Sequence, residues 1–235
     1  MVPRKVLFAA AGIVAVCATV TMLGGKMPMS AGVAAARPMA VASKAVALAS
    51  PPAALMQAIA SGHVAQTQDL IKAGADVSGR DGQSRTPVML AAAKGYGAIV
   101  RRLITAGAKA DAQDKGGASA LTLAAAGCFD ATVQSLLGAG AAVNAKTGDG
   151  QTALTLAAAQ CSLSVVKPLL AAGADLNTAT AKGNTPLMLA PEAGDVDIAA
   201  ELVGKGADRG LRNGKRETTH DIAVAAGHAD VAAQL

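Results

Sequence analysis

Thr86-Pro87-Val88-Met89-Leu90-Ala91-Ala92-Ala93-Lys94-Gly95-Tyr96-Gly97-Ala98-Ile99-Val100-Arg101-Arg102-Leu103-Ile104-Thr105-Ala106-Gly107-Ala108 is a structural unit on its own. Thr86 before Pro87 is a helix start: the hydroxyl caps a free N–H, and proline at the first helical position gives up no bond. Apolar and Ala residues then recur at helical spacing. Gly95 closes this short helix, and Ile99, Val100, Leu103 and Ile104 form the apolar stripe of a second. Gly107 supplies the stop. Working outward, the Gly-Ala pair of residues 107–108 returns at Gly74-Ala75, Gly140-Ala141, Gly173-Ala174 and Gly206-Ala207, each step being 33 residues. A fixed period of this length means stacked supersecondary units rather than one closed core.

That spacing places the starts of six first helices at Ala53, Thr86, Ser119, Thr152, Thr185 and Thr218, and Thr185-Pro186-Leu187-Met188-Leu189-Ala190 repeats the opening pattern. Each unit reads helix, turn, helix, Gly stop and a polar loop such as Ala110-Asp111-Ala112-Gln113-Asp114. The pattern resembles the ankyrin repeat, a 33-residue unit with a Thr-Pro-Leu-His signature, and covers Pro51 to Leu235. The resemblance implies an all-α solenoid of stacked helix-turn-helix units with short polar loops and hairpin-like tips. The signature His is replaced by Met56, Met89, Thr122, Thr155, Met188 and Asp221. Its hydrogen bonding is therefore missing or rebuilt with other groups. Ala where helices meet allows close approach but buries little area per residue. With one Tyr, two Phe and no Trp, cohesion must come from many small repeated contacts. Two prolines interrupt helical stretches: Pro191 opposes the carbonyl of Leu187 and Pro168 that of Ser164, so a kink or loosening is expected at each.

The chain opens Met1-Val2-Pro3-Arg4-Lys5 and runs apolar from Val6 to Leu23, the pattern of an export signal. These 18 residues are long for the centre of a signal peptide and barely enough to span a bilayer. Residues 1–23 are thus read as a signal peptide or signal anchor, and the small-x-small patterns Ala34-Ala35-Ala36 and Ala40-Val41-Ala42 favour cleavage. Residues 24–50, made largely of Ala, Met, Pro, Ser and Gly, read as a flexible linker. Residues 51–235 form the repeat domain.

The +5 net charge overstates the basicity of the exported part. Arg4, Lys5 and Lys26 lie in a stretch without acids; setting them aside leaves 18 basic against 16 acidic residues, or +2. Basic residues are scattered and no aromatic platform exists on which bases could stack, which argues against a nucleic-acid partner. The local excess at Arg209, Arg212, Lys215 and Arg216 is read as a solvated last loop, diluted by Asp208 and Glu217. Cys128 and Cys161 are 33 residues apart at equivalent turn positions. Two readings stay open. An oxidising compartment favours a bridge, whereas stacked helices about 8–10 Å apart exceed the roughly 7 Å Cα limit of a disulfide, favouring two packed thiols.

His63 and His228 share a phase just after a turn, where turn capping is expected, and His220 has no further ligand at metal spacing. No metal or cofactor is expected. Asp195 and Asp197 flank a helix start, where carboxylates complement the dipole. Gly150-Gln151-Thr152 and Gly183-Asn184-Thr185 are repeat starts without the lysine of a phosphate loop. No nucleophile stands beside a base, so the chain is read as non-catalytic.

The resemblance implies recognition of another protein through loop tips and the inner face of the first helices. Carried by phase, the tip candidates of the earlier units are Gln83, Arg85, Lys115, Asp149 and Gln151. Those of the later units are Lys182, Asn184, Lys215 and Glu217. Lys94, Gln160 and Glu192 are the helix-face candidates. The expected protein is an exported, periplasmic or secreted monomer. The alternative is an inner-membrane-anchored scaffold in which residues 6–23 stay in the bilayer.

Overall fold

The computed structural model describes residues 51–193 and 195–233. The export segment at 1–23 and the linker at 24–50 lie outside the described residues. The chain divides into Met1–Pro38 and Met39–Leu235, and all that follows concerns the second part.

Six helix pairs succeed one another: α1 (Pro51–Ala60) with α2 (Val64–Lys72), α3 (Pro87–Ala93) with α4 (Gly97–Thr105), and α5 (Ala120–Ala126) with α6 (Asp130–Gly138). Then come α7 (Ala153–Gln160) with α8 (Leu163–Ala171), α9 (Pro186–Ala193) with α10 (Val196–Gly204), and α11 (Thr219–Ala225) with α12 (Ala229–Ala232). First helices contact first helices of neighbouring units and second helices contact second helices, giving two parallel rows. Helix α1 begins at Pro51, two residues before the expected Ala53. Prolines suit the first turn, whose N–H groups have no intrahelical partner.

Local chemistry dictates each start. The Thr86, Ser119, Thr152 and Thr218 hydroxyls accept from the N–H three residues on, at 3.4, 3.2, 3.2 and 3.3 Å. Five of the six positions that replace the signature His, all but Met56, reach back to the cap N–H. Thr122 and Thr155 hydroxyls accept at 2.8 Å, the Asp221 carboxylate at 2.9 Å, and the sulfurs of Met89 and Met188 at 3.4 and 3.5 Å. The lost bonding is thus rebuilt, most weakly by the thioethers. Gly107 ends α4 with φ +93°, a conformation that only Gly enters without penalty.

The core follows the rows. Leu55 and Ile59, Met89 and Leu103, Leu121 and Leu136, Leu154 and Leu169, Leu187 and Ile198 are all fully buried. Ala91, Ala92, Ala124, Ala125, Ala157 and Ala158 fill the spaces between first helices with no exposure.

The kink expected at Pro168 does not break α8, which runs as one helix through it. The bond it forfeits would have gone to the carbonyl of Ser164, an exposed residue that water can serve. Helix α9 spans position 191, but the side chain of Pro191 lies outside the described residues.

Candidate functional site

The loops between units are built around one side chain at a fixed phase. Asp81, Asp114, Thr147, Thr180 and Asn213 each donate their N–H to the carbonyl four residues on, at 2.9–3.0 Å. Their side-chain oxygens accept return bonds: Asp114 from Gly116 and Ala118, Asn213 from Lys215 and Glu217, Thr147 from Gln151, Thr180 from Asn184. This closes each tip as a tight hairpin. Among the described residues, the recorded β pairing is one isolated antiparallel bridge, Gln113 with Ser119.

Successive tips are tied to one another. The N–H groups of Lys115, Gly148, Ala181 and Gly214 donate to the carbonyls of Gln83, Gly116, Asp149 and Lys182, at 3.1, 2.7, 2.8 and 3.0 Å. Behind this ladder runs a second one: Asp111, Asn144 and Asn177 accept through side-chain oxygens from the N–H of Ala142, Asp175 and Asp208 at 2.7–3.0 Å. The tips therefore form a continuous edge rather than independent loops. Gly183 shows how tightly they fit. It has φ +80°, and a Cβ there would lie 2.6 Å from the Gly214 nitrogen. Arg216 holds the same phase with φ +67°, at the outermost described tip.

This geometry sorts the candidates. Arg85 is committed to its own loop: its Nε and Nη2 both lie 2.7 Å from Asp81 Oδ2. Gln83, Lys115 and Asp149 are exposed and enter the ladder only through their backbones. Gln151 is half-buried and closes its hairpin. Lys94 is the exposed C-cap of α3, and Gln160 the exposed last residue of α7. Glu192 lies outside the described side chains.

Four candidates meet in one place. Lys182, Asn184, Lys215 and Glu217, joined by Asn213, line a cavity of about 670 Å³ whose floor is Ile222, Ala225 and Ala226 of α11. Asn213 organises it: its amide nitrogen donates to Asn184 Oδ1 at 3.1 Å and to Glu217 Oε2 at 2.9 Å. Asn213 was not among the sequence candidates, although its 33-residue spacing from Asp81, Asp114, Thr147 and Thr180 marks it.

The floor identifies the inner face of the whole stack. Positions equivalent to Ile222 are Leu90, Leu123, Leu156 and Leu189, and all five are half-buried. Positions equivalent to Ala225 include Ala93 and Ala126, and those equivalent to Ala226 include Lys94 and Gln160. A row of partly exposed aliphatic side chains thus runs along the groove beneath the tips. In the sequence these leucines are part of the apolar helical spacing and are not among the binding candidates. Only their partial exposure reveals the second role.

Three carboxylates sit below their ordinary range. For Asp81, burial pushes the other way, but the Arg85 side chain and the N–H groups of Arg85 and Gln83 outweigh it. Asp175 is lowered by the Asn177 N–H and then the Thr178 hydroxyl, and Asp221 by the Thr218 N–H and hydroxyl. Their partners are local, and each stabilises a loop or cap rather than a reacting group.

The histidines do not cap through their rings. His63 and His228 stand at the starts of α2 and α12 without a side-chain cap bond, and His220 Nδ1 lies 3.2 Å from the Ala232 carbonyl. Among the described residues no group of His, Cys, Asp or Glu is arranged to hold a metal ion. Asp195 does cap, accepting from the Ile198 N–H at 3.0 Å.

The Cα atoms of Cys128 and Cys161 are 5.3 Å apart and their sulfurs are at bridging distance. The helix-spacing objection fails because both residues are in turns. Cys128 takes φ +56° and Cys161 ends α7 in an extended conformation, so the backbone closes in where helix axes could not.

The comparisons agree with this architecture. A family model described as ankyrin repeats (3 copies) matches residues 55–147, 126–213 and 156–235. The matches together span most of the chain, which therefore belongs to the ankyrin-repeat family. Repeats of this kind generally mediate protein–protein interaction. No match is found among curated proteins.

Proposed function

We propose that this protein is a non-catalytic, exported protein-binding module that engages another polypeptide along the groove between its tips and the inner row of first helices. The observation carrying this reading is the coincidence of two rows on one face. The half-buried aliphatic stripe from Leu90 to Ile222 lies beneath a continuous edge of polar tips. Aliphatic surface rimmed by polar groups is the anatomy of a protein interface. A stack held by its own tip ladder is also preorganised, so little ordering cost opposes binding.

Export is supported by the basic start and the apolar run of residues 6–23, and by the cysteine pair, which suits an oxidising compartment. Among the described residues no helix is long and apolar enough to cross a membrane. The membrane-anchored alternative therefore rests on residues 6–23 alone. The N-terminal residue of the purified protein separates the two: cleavage beyond residue 23 fits the exported form, and an intact start fits the anchor.

A photocrosslinker placed in turn at Lys94, Lys115 and Lys182, on the groove, and at Lys72 and Lys167, on second helices, tests the face. Crosslinks to another polypeptide from the groove set alone are expected. Crosslinks confined to Lys72 and Lys167 would refute the reading. Charge reversal of Lys94, Lys115 and Lys182 together should abolish those crosslinks while the helical circular dichroism is unchanged. Arg85 is left out because its change would open the Asp81 loop.

A further inference from the structure

The tips of the last two units carry a positive charge at a phase where the earlier tips have none. At one phase of the tips the residues run Gln83, Gly116, Asp149, Lys182 and Lys215. The sign changes within a single repeat step, and both lysines line the 670 Å³ cavity. Among the described residues neither lysine side chain makes a hydrogen bond or ion pair, whereas Glu217, the carboxylate beside them, is held by Asn213. Arg212 and Arg216 of the same loop add to the positive field; Arg212 Nη1 spans the loop to the Arg216 carbonyl at 2.7 Å. Below the two ammonium groups the floor is aliphatic, with half-buried Ile222 and exposed Ala225 and Ala226.

We infer that this cavity binds a short acidic peptide segment of the partner: two carboxylates answering Lys182 and Lys215, with a small aliphatic side chain between them resting on Ile222. The inference rests on the groove being the binding face, and it names the chemistry that one end of that groove selects. The Gly214 N–H donates to the Lys182 carbonyl at 3.0 Å, so the backbones of the two lysines are close neighbours and their flexible side chains fan out over the floor. A chain in the polyproline II conformation turns once in three residues and advances about 9 Å, so carboxylates at positions i and i+3 lie on one face, each within reach of one lysine. The cavity volume falls within the range of about 300–1,000 Å³ typical of ligand sites. Asp149 bounds the positive region on its inner side, so a long polyanion lying along the groove would meet a like charge, whereas a segment two units wide does not. No aromatic side chain lines the site to stack a base. Residues 1–50 of the chain itself contain no Asp or Glu, which removes its own N-terminal segment as the occupant.

The test is fluorescence anisotropy of the full chain with a labelled peptide, Ser-Gly-Glu-Leu-Ala-Glu-Gly-Ser, beside counterparts carrying Gln or Lys in place of both Glu. The Glu peptide should bind at least about tenfold more tightly than either counterpart. Raising salt from about 0.05 M to about 0.5 M should weaken it by screening. The K182E/K215E variant, checked for unchanged circular dichroism, should lose at least about tenfold in affinity, whereas K167E, on a second helix, should change little. Equal binding of the Gln peptide, or a K167E effect as large as that of K182E/K215E, would overturn the inference while leaving the groove reading intact. Saturable binding of the chain to itself that the Glu peptide does not displace would also overturn it, by making a second copy the occupant. Crosslinks from Lys72 and Lys167 alone would remove both.

Discussion

Between units two and three the turn is closed by an aromatic ring: Phe129 covers Gly95, where a Cβ would approach the ring to 2.5 Å. Between units three and four the same place is held by the Cys128–Cys161 bridge. The first joint repeats one step earlier, where the Tyr96 hydroxyl lies against Gly62. The two solutions exclude one another. The aromatic needs a glycine beneath it, and its phase after Phe129 is filled by Ser162, too small to cover the turn. Four turns carry Gly at this phase, at Gly62, Gly95, Gly194 and Gly227, and two carry Cys. A close contact across the turns is thus met by packing at two joints and by a covalent link at another.

The largest difference should appear when the link is opened. Closing a 33-residue loop restricts the unfolded chain by about 3–4 kcal/mol on the chain-entropy estimate. Residual structure in the unfolded chain takes part of this back. Reduction, or Cys161→Ser, should therefore lower the unfolding free energy by about 2–3 kcal/mol, read as a drop in the urea midpoint. An unchanged midpoint would mean that the link is absent in the folded protein. The aromatic joint comes next. Phe129 is only half-buried, so Phe129→Ala should fall below the full core cost and remove about 2 kcal/mol, under oxidising and reducing conditions alike.

A conversion sharpens the contrast further. Cys128 holds φ +56°, a left-handed conformation that costs a non-glycine residue about 1 kcal/mol. Under reducing conditions that strain brings no return. Cys128→Gly with Cys161→Gly and Ser162→Phe would rebuild the aromatic joint and should exceed the reduced parent by about 1–2 kcal/mol. A lower midpoint would mean that the turn of unit four cannot accept a ring.

The two joints also mark how far the sequence could be read. The period, the helix pairs and the caps at Thr86, Ser119, Thr152 and Thr218 were legible because each depends on a residue type at a fixed distance along the chain. So was the equivalence of Cys128 and Cys161. Their closeness was not, because helix spacing was applied to residues that lie in turns, where backbone torsion sets the distance. For a similar reason the commitment of Arg85 to its own loop was not legible: it has the exposure-prone chemistry of a binding residue, but four positions before it stands Asp81. The apolar floor was invisible for a different reason. A leucine at a helical core spacing carries no mark of whether its outer side meets protein or water. What singles out Ile222 is its place on the floor of the cavity that Lys182 and Lys215 line.

The smallest expected effect is one that should leave the comparison untouched. Asp81, Asp175 and Asp221 have pKa values lowered in the folded protein, so the unfolded chain binds more protons than the folded one as the pH falls into the carboxylate range. Their contribution is complete above the ordinary carboxylate pKa of about 4 and is lost as the pH drops through the lower folded values. Stability should accordingly be flat from neutral pH down to about 5 and fall below about 4. None of the three stands at a turn of either joint: Asp81 closes a tip, Asp175 a loop, and Asp221 the start of α11. The acid loss should therefore be the same for the parent, for Phe129→Ala and for the reduced protein, giving parallel curves of urea midpoint against pH. Curves that converge in acid would show that protonating the tips loosens the turns, and that the two edges of each unit are mechanically coupled through its helices.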